Sequence, residues 1–315
     1  MRIVVVTPAS RGSRKGNRVT ALRWAGLLRS LGHRVSLREE WTGQDCDLLV
    51  ALHATKSHAS AARYREARPR APLVVSMAGT DLYQDLPASA EARRSLDLAD
   101  RITVLQPLGI EALPAHVRHK ARAIVQSAHA ARPVAAPPGT FAACLLAHLR
   151  PVKDPFLAAS AARLLPARSR VRVVHLGAAL DPGAEERARR EAAENPRYTW
   201  LGDRPRSEAL GRLAGSRLLL VTSRLEGGSN AVSEAVAAGV PVLSTRVAGS
   251  MGVLGAGYPG FFPVGDAAAL AALLVRAEED PAFLDALRAG VEAVRPLVEP
   301  RREREGWRAL LAELT

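Results

Sequence analysis

Residues 218–244 read LLLVTSRLEGGSNAVSEAVAAGVPVLS: an apolar run, a turn carrying two glycines, an Ala/Val-rich stretch of helical period, and a second apolar run. Leu218 to Thr222 and Val240 to Ser244 have the length and composition of buried strands, and Asn230 to Ala238 between them reads as a helix capped by Ser229 or Asn230. A strand, a helix and a further strand in this order make a crossover unit with parallel strands. Working outward, the same alternation extends over Ala142 to Ala147, Val171 to Leu176 and Tyr198 to Leu201 as strands, with helices near Phe156 to Leu165, Ala184 to Glu194, Ser207 to Gly215 and Ala267 to Glu279. An independent series fills the first half, with strands at Arg2 to Thr7, His33 to Leu37, Asp47 to His53, Leu73 to Met77, Ile102 to Leu105 and Ala123 to Val125, and a helix from Val19 to Leu31 ended by Gly32.

The stretch 130–140, AARPVAAPPGT, sustains neither helix nor strand and separates the two series. The expectation is an α/β protein with a domain over residues 1–135, a second over 136–299, and an amphipathic helix over 300–315 that packs across both. Two doubly wound domains facing an interdomain cleft would turn the carboxyl ends of both sheets toward it, so functional residues belong in strand-to-helix loops.

Composition narrows the class. A chain of 315 residues is long enough for two cores, and 48% apolar with 24% charged residues is the balance of an ordinary globular protein. The two cysteines, Cys46 and Cys144, are far apart and form no metal or redox spacing, which points to a reducing compartment. No signal-like start and no long apolar window is present, so a cytoplasmic protein without a membrane anchor is expected.

The net charge of +13 suggests a polyanion partner, but the arginines are scattered and aromatic residues amount to 4%, too few for stacking platforms; nucleic acid is not expected. The charge is uneven. Residues 1–140 hold 21 basic and 11 acidic side chains against 23 and 20 in residues 141–315, so the first half is the one that attracts anions.

The sharpest motif is Glu226-Gly227-Gly228-Ser229-Asn230 with Glu234 inside the helix. A helix start after a glycine turn offers backbone N–H groups to an anion, worth about 0.3–1 kcal/mol at an exposed site, and a diphosphate would suit it. Glu226 and Glu234 are acceptor-only groups that could address different hydroxyl pairs of one elongated ligand, a sugar and a ribose. Taken alone they also fit a loop charge and a capping or surface residue.

The longer segment EGGSNAVSEAVAAGVPVLSTRVAG with PVGDAAALAALL resembles the donor-site signature of the retaining GT-B glycosyltransferases of family 4. The resemblance implies that Glu226 contacts the donor sugar and Glu234 the ribose, with Gly227, Gly228, Ser229 and Asn230 against the sugar and diphosphate. It extends to His148-Leu149-Arg150-Pro151-Val152-Lys153-Asp154-Pro155, where Arg150 and Lys153 match in type the Arg and Lys that neutralise the departing diphosphate. Here they stand three residues apart where family members commonly have five.

In the first half, TPASRGSRKGNRVTA (residues 7–21) is a basic loop after the first strand, without the spacing of nucleotide hydrolases, and reads as an acceptor anion site. His53-Ala54-Thr55-Lys56-Ser57 and Met77-Ala78-Gly79-Thr80-Asp81-Leu82-Tyr83 follow strands on the same rim. Together with VLQPLG these loops are similar to the selenosugar synthases of selenoneine biosynthesis. That resemblance implies a selenophosphate acceptor bound by Arg11, Lys15, Asn17, Arg18, Thr20, His53, Lys56, Thr80 and Asp81.

By itself, His53 equally suits a satisfied core histidine, and Tyr83 and Trp24 suit packing. Asp45-Cys46-Asp47 looks like a metal motif but precedes a strand, so no metal is expected; the UDP-sugar is a co-substrate and not a cofactor. The partners expected are UDP-GlcNAc or UDP-glucose, selenophosphate and enzymes of the same pathway. A phosphorylated hydroxyl acceptor and a sugar-nucleotide 2-epimerase are the competing enzymatic readings.

Overall fold

The computed structural model describes residues 1–13 and 16–314. Two units are formed, Met1–Gln126 with Pro300–Thr315, and Ser127–Glu299. The stretch 130–140 therefore lies inside the second unit, and the chain returns to the first at its end.

In the first unit, β1 (Arg2–Val6), β2 (Arg34–Arg38), β3 (Leu48–Leu52), β4 (Leu73–Ser76), β5 (Arg101–Val104) and β6 (Ala121–Ala123) form a parallel sheet in the order β2-β1-β3-β4-β5-β6. Side chains alternate across a strand, so a continuous apolar run can serve two cores at once. Ile3, Val5, Leu48 and Val50 pack with Trp24 and Leu28 from the helix Gly16–Ser30, while Val4, Val6, Leu49 and Ala51 pack with Trp41 and with Tyr64 from the helix His58–Ala67.

The helix Pro300–Ala312 covers the same face as Gly16–Ser30 and contributes Trp307, Leu310 and Leu311 to that core. Trp307 meets Trp24 edge to face at 5.0 Å between ring centroids. One turn earlier, the buried Glu303 carboxylate accepts from Trp24 Nε1 at 2.8 Å and pairs with Arg23 at 3.1 Å, which compensates its loss of water. The apolar stripe of this helix is thus used on the first unit's sheet.

In the second unit, β7 (Phe141–Leu146), β8 (Val171–Leu176), β9 (Tyr198–Trp200), β10 (Leu218–Val221), β11 (Val242–Thr245) and β12 (Phe261–Phe262) form a second parallel sheet, ordered β12-β11-β10-β7-β8-β9. The two-residue β12 is too short to produce a periodic signal, so it is invisible in the sequence.

Each sheet has one point where the strand order reverses, beside β1 and β3 in the first and between β7 and β10 in the second. Loops leaving neighbouring strands there diverge and open a crevice at the carboxyl ends. The loops concerned carry residues 7–13 and 53–57 in the first unit, and 147–156 and 222–229 in the second. Among the described residues no helix is long and apolar enough to cross a membrane.

Candidate active site

In the second unit the loops after β7 and β10 are tied together. Arg224 N donates to Val152 O at 2.9 Å, Thr222 Oγ1 donates to Lys153 O at 2.9 Å, and Arg224 pairs with Asp154 at 2.9 Å. Asp154 has φ +41°, a left-handed turn that Asp tolerates better than most residues. These ties bring Lys153 Nζ to 2.5 Å from Glu226 Oε1. The Glu226 side chain is 9% exposed and also accepts from Ser223 Oγ at 2.7 Å, while Thr245 Oγ1 donates to Ser223 O at 2.6 Å. A methyl at Gly249 would lie 2.4 Å from the backbone oxygen of Glu226, so only glycine lets that segment pack this closely against the Glu226 backbone.

Arg150 is exposed; its carbonyl accepts from Lys153 N at 2.9 Å, and among the described residues its side chain has no hydrogen-bond or ion-pair partner. Gly227 is buried and Gly228 half-buried; Ser229 caps the helix Asn230–Ala238, its side chain accepting from Val232 N at 3.4 Å. Asn230, half-buried, is the first helical residue. Glu234 points inward with its side chain 6% exposed and ion-pairs with Arg206. The arrangement is a cation beside a buried carboxylate, a second cation open to solvent and a capped helix start, which together can receive a diphosphate and accept hydrogen bonds from hydroxyls.

The loop after β7 is held from behind by His175. Its Nε2 donates to Ala147 O at 2.8 Å, which leaves Nδ1 to accept from Tyr198 OH at 2.7 Å. Gly177 is required beside it, since a Cβ there would fall 1.8 Å from Ala147 O. Burial lowers the His175 pKa to about 4. The unfolded chain takes up this proton below pH ~6.5, whereas the folded one does so only near about 4. Stability is thus complete above pH ~6.5 and is lost as the pH falls through that window, by roughly 3 kcal/mol at most. Urea unfolding at pH 7.5 and 4.5 is expected to show a smaller acid loss for His175→Gln than for wild type; equal losses would contradict this assignment.

In the first unit, His53, Thr80 and Asp81 come together. His53 is buried with φ +78°, an uncommon conformation for a non-glycine residue. Its Nδ1 accepts from Lys56 N at 3.4 Å and its Nε2 lies 3.3 Å from Thr80 Oγ1, while burial lowers its pKa. Asp81 is wholly buried and accepts from three backbone amides: Ala54 N at 2.9 Å, and Ala78 N and Gly79 N at 2.8 Å each. It locks the loops after β3 and β4 to one another. Thr20 is buried too, accepting from Gln126 Nε2 at 2.6 Å.

Arg11 and Lys56 are exposed, and among the described residues neither side chain has a polar partner. Asn17 and Arg18 are half-buried in the first turn of Gly16–Ser30, and Lys15 lies outside the described residues. Asp45 and Asp47, the rejected metal motif, are engaged by Arg2 and Arg68.

Asp81→Ala is expected to leave three buried N–H groups unpaired and to destabilise the first unit by about 2–4 kcal/mol. Denaturant unfolding checks this; a loss below 1 kcal/mol would mean the amides find other partners.

Sequence reasoning did not single out Arg206, Arg224, Ser223, Thr245 or His175. The signal for Arg206 was present, since it too follows a strand, β9, and so belongs to the same rim.

The family described as Glycosyl transferases group 1 matches residues 126–293. Among solved structures, the Anabaena protein HepE in complex with UDP-glucose superposes with a TM-score of 0.78 at 16% identity, covering 99% of this chain and 100% of that one. Sucrose-phosphate synthase from Thermosynechococcus elongatus gives 0.77 at 18% identity, covering 99% and 98%. No curated protein is significantly similar in sequence.

Proposed function

The chain belongs to the group 1 glycosyl transferases, with a GT-B fold, and from that premise we propose that it transfers glucose or N-acetylglucosamine from a UDP-sugar to the selenium of selenophosphate. The observation that carries the donor half is the Lys153–Glu226 contact, 2.5 Å, at the strand-order reversal of the second sheet. HepE, similar in fold, was solved with UDP-glucose. In this reading the bond from the anomeric carbon to the diphosphate oxygen breaks, its electron pair stays on the departing UDP, and a selenium lone pair forms the new carbon–selenium bond.

Lys153 and Arg150 would stabilise the charge that develops on the leaving diphosphate, and the Ser229-capped helix start would receive it. Glu226 would orient the sugar and Glu234 the ribose. A selenium anion is a soft nucleophile that needs no proton removed, so the site can work without a dedicated base. The acceptor half is supported by the likeness of the first-unit loops to selenosugar synthases and by Arg11 and Lys56, two exposed cations beside the reversal of the first sheet.

The test is incubation with UDP-glucose or UDP-GlcNAc and selenophosphate, with mass spectrometry for a sugar bearing the selenium isotope pattern. That product, with release of UDP, is expected. Transfer to phosphorylated hydroxyl compounds alone would overturn the selenium acceptor and keep the transferase, and conversion of UDP-GlcNAc without any acceptor would point to epimerisation.

A further inference from the structure

The donor site proposed above, on which this inference rests, depends on Lys153, and no long helix or strand aims that side chain. Pro151–Lys153 is a single 3-10 turn, closed by Lys153 N donating to Arg150 O at 2.9 Å and ended by Asp154 at φ +41°. The direction of so short a turn is set by what it is fastened to. Thr222 Oγ1 fastens the carbonyl of Lys153 itself. Arg224, from the same loop after β10, grips both neighbours: its amide donates to Val152 O at 2.9 Å, and its Nη2 pairs with Asp154 Oδ2 at 2.9 Å.

Magnitudes separate two roles for this grip. The Arg224 side chain is 61% exposed and that of Asp154 19%, and an ion pair so open to water contributes little to stability. Position is far more sensitive, since a displacement of about 1 Å can cost a reaction roughly 10²-fold. Asp154 also holds a backbone conformation that costs a non-glycine residue free energy and persists only where its surroundings impose it. We infer that Arg224 is a positioning residue for Lys153: its ion pair with Asp154 fixes the turn and aims the ammonium at the diphosphate oxygen that leaves with UDP. Arg224 acts through Lys153, not on the diphosphate.

Calorimetric titration of the full chain with UDP, and with UDP-glucose or UDP-GlcNAc, tests this. The terminal phosphate of UDP carries charge that the glycosylated diphosphate lacks, so a cation aimed at the leaving oxygen favours UDP over the sugar nucleotide. Arg224→Ala keeps the amide bond to Val152 and removes only the guanidinium. It is expected to weaken UDP about fivefold and the sugar nucleotide less than about twofold, with the melting temperature unchanged. Asp154→Gly removes the carboxylate without conformational cost at φ +41° and should show the same selective loss. Lys153→Ala should lose UDP affinity about tenfold, and the double variant Lys153→Ala/Arg224→Ala should bind as Lys153→Ala does, because the two effects are one.

A further fivefold loss in the double variant would place Arg224 on the diphosphate itself. Unchanged UDP affinity in Arg224→Ala would show that the ion pair does not aim Lys153, while equal losses for UDP and the sugar nucleotide, or a lowered melting temperature, would make its role structural. Each of these results overturns the inference. Failure of wild type to bind UDP, or undiminished binding in Lys153→Ala, would instead sink the donor assignment itself, and the role of Arg224 with it.

Discussion

Lys153→Ala is expected to lower kcat/KM for sugar transfer by about 10²–10³-fold, the loss typical of removing one preorganised group that stabilises charge on a departing oxygen. The side chain is held in place. Its carbonyl receives Thr222 Oγ1, its neighbour Asp154 is pinned by Arg224, and its ammonium rests 2.5 Å from Glu226. Because the negative charge grows as the sugar–oxygen bond breaks, the effect should fall on kcat more than on KM. Arg150→Ala should lose less, since Arg150 is exposed and lacks the ties that fix Lys153. Steady-state kinetics with UDP-glucose or UDP-GlcNAc decide the matter; a change confined to KM would make Lys153 a ground-state contact only. Lys153→Ala also leaves the Glu226 carboxylate without its cation, so a melting curve should accompany the kinetics to separate misfolding from lost catalysis.

The second large effect concerns stability. Trp307→Ala should destabilise the first unit by about 3–5 kcal/mol, the range observed when a fully buried aromatic is truncated. Trp307 has no exposed surface, packs against Trp24, and belongs to the core that contains β1 and β3. The cavity would also loosen the Glu303 contacts with Trp24 and Arg23, which are made one turn away. Denaturant unfolding followed by tryptophan emission provides the measurement, with Trp307→Phe as a milder variant. A loss under 1 kcal/mol for Trp307→Ala would mean that the C-terminal helix contributes little to this core.

Chemistry and position were readable to different degrees. Lys153, Glu226 and the glycine turn stood out because their types and their place after strands are local properties. Thr20 and Asp81 looked like rim residues on the same grounds, yet the fold uses them internally. Thr20 meets Gln126, which is 106 residues away, and Asp81 collects amides from two loops. No local pattern reports a partner at that separation. Arg206 shows the converse: a loop arginine among many, it gains meaning only from the buried carboxylate that another helix places beside it.

The sequence by itself determined the alternation of strands and helices, the parallel class of both sheets and the family, because apolar period and short motifs are encoded within a few tens of residues. Tertiary structure alone decided which unit the last helix completes, which charges are paired, and which loops meet at each reversal of strand order. Those depend on long-range packing and on the cost of burying charge, and both are settled only once segments far apart in the chain are brought together.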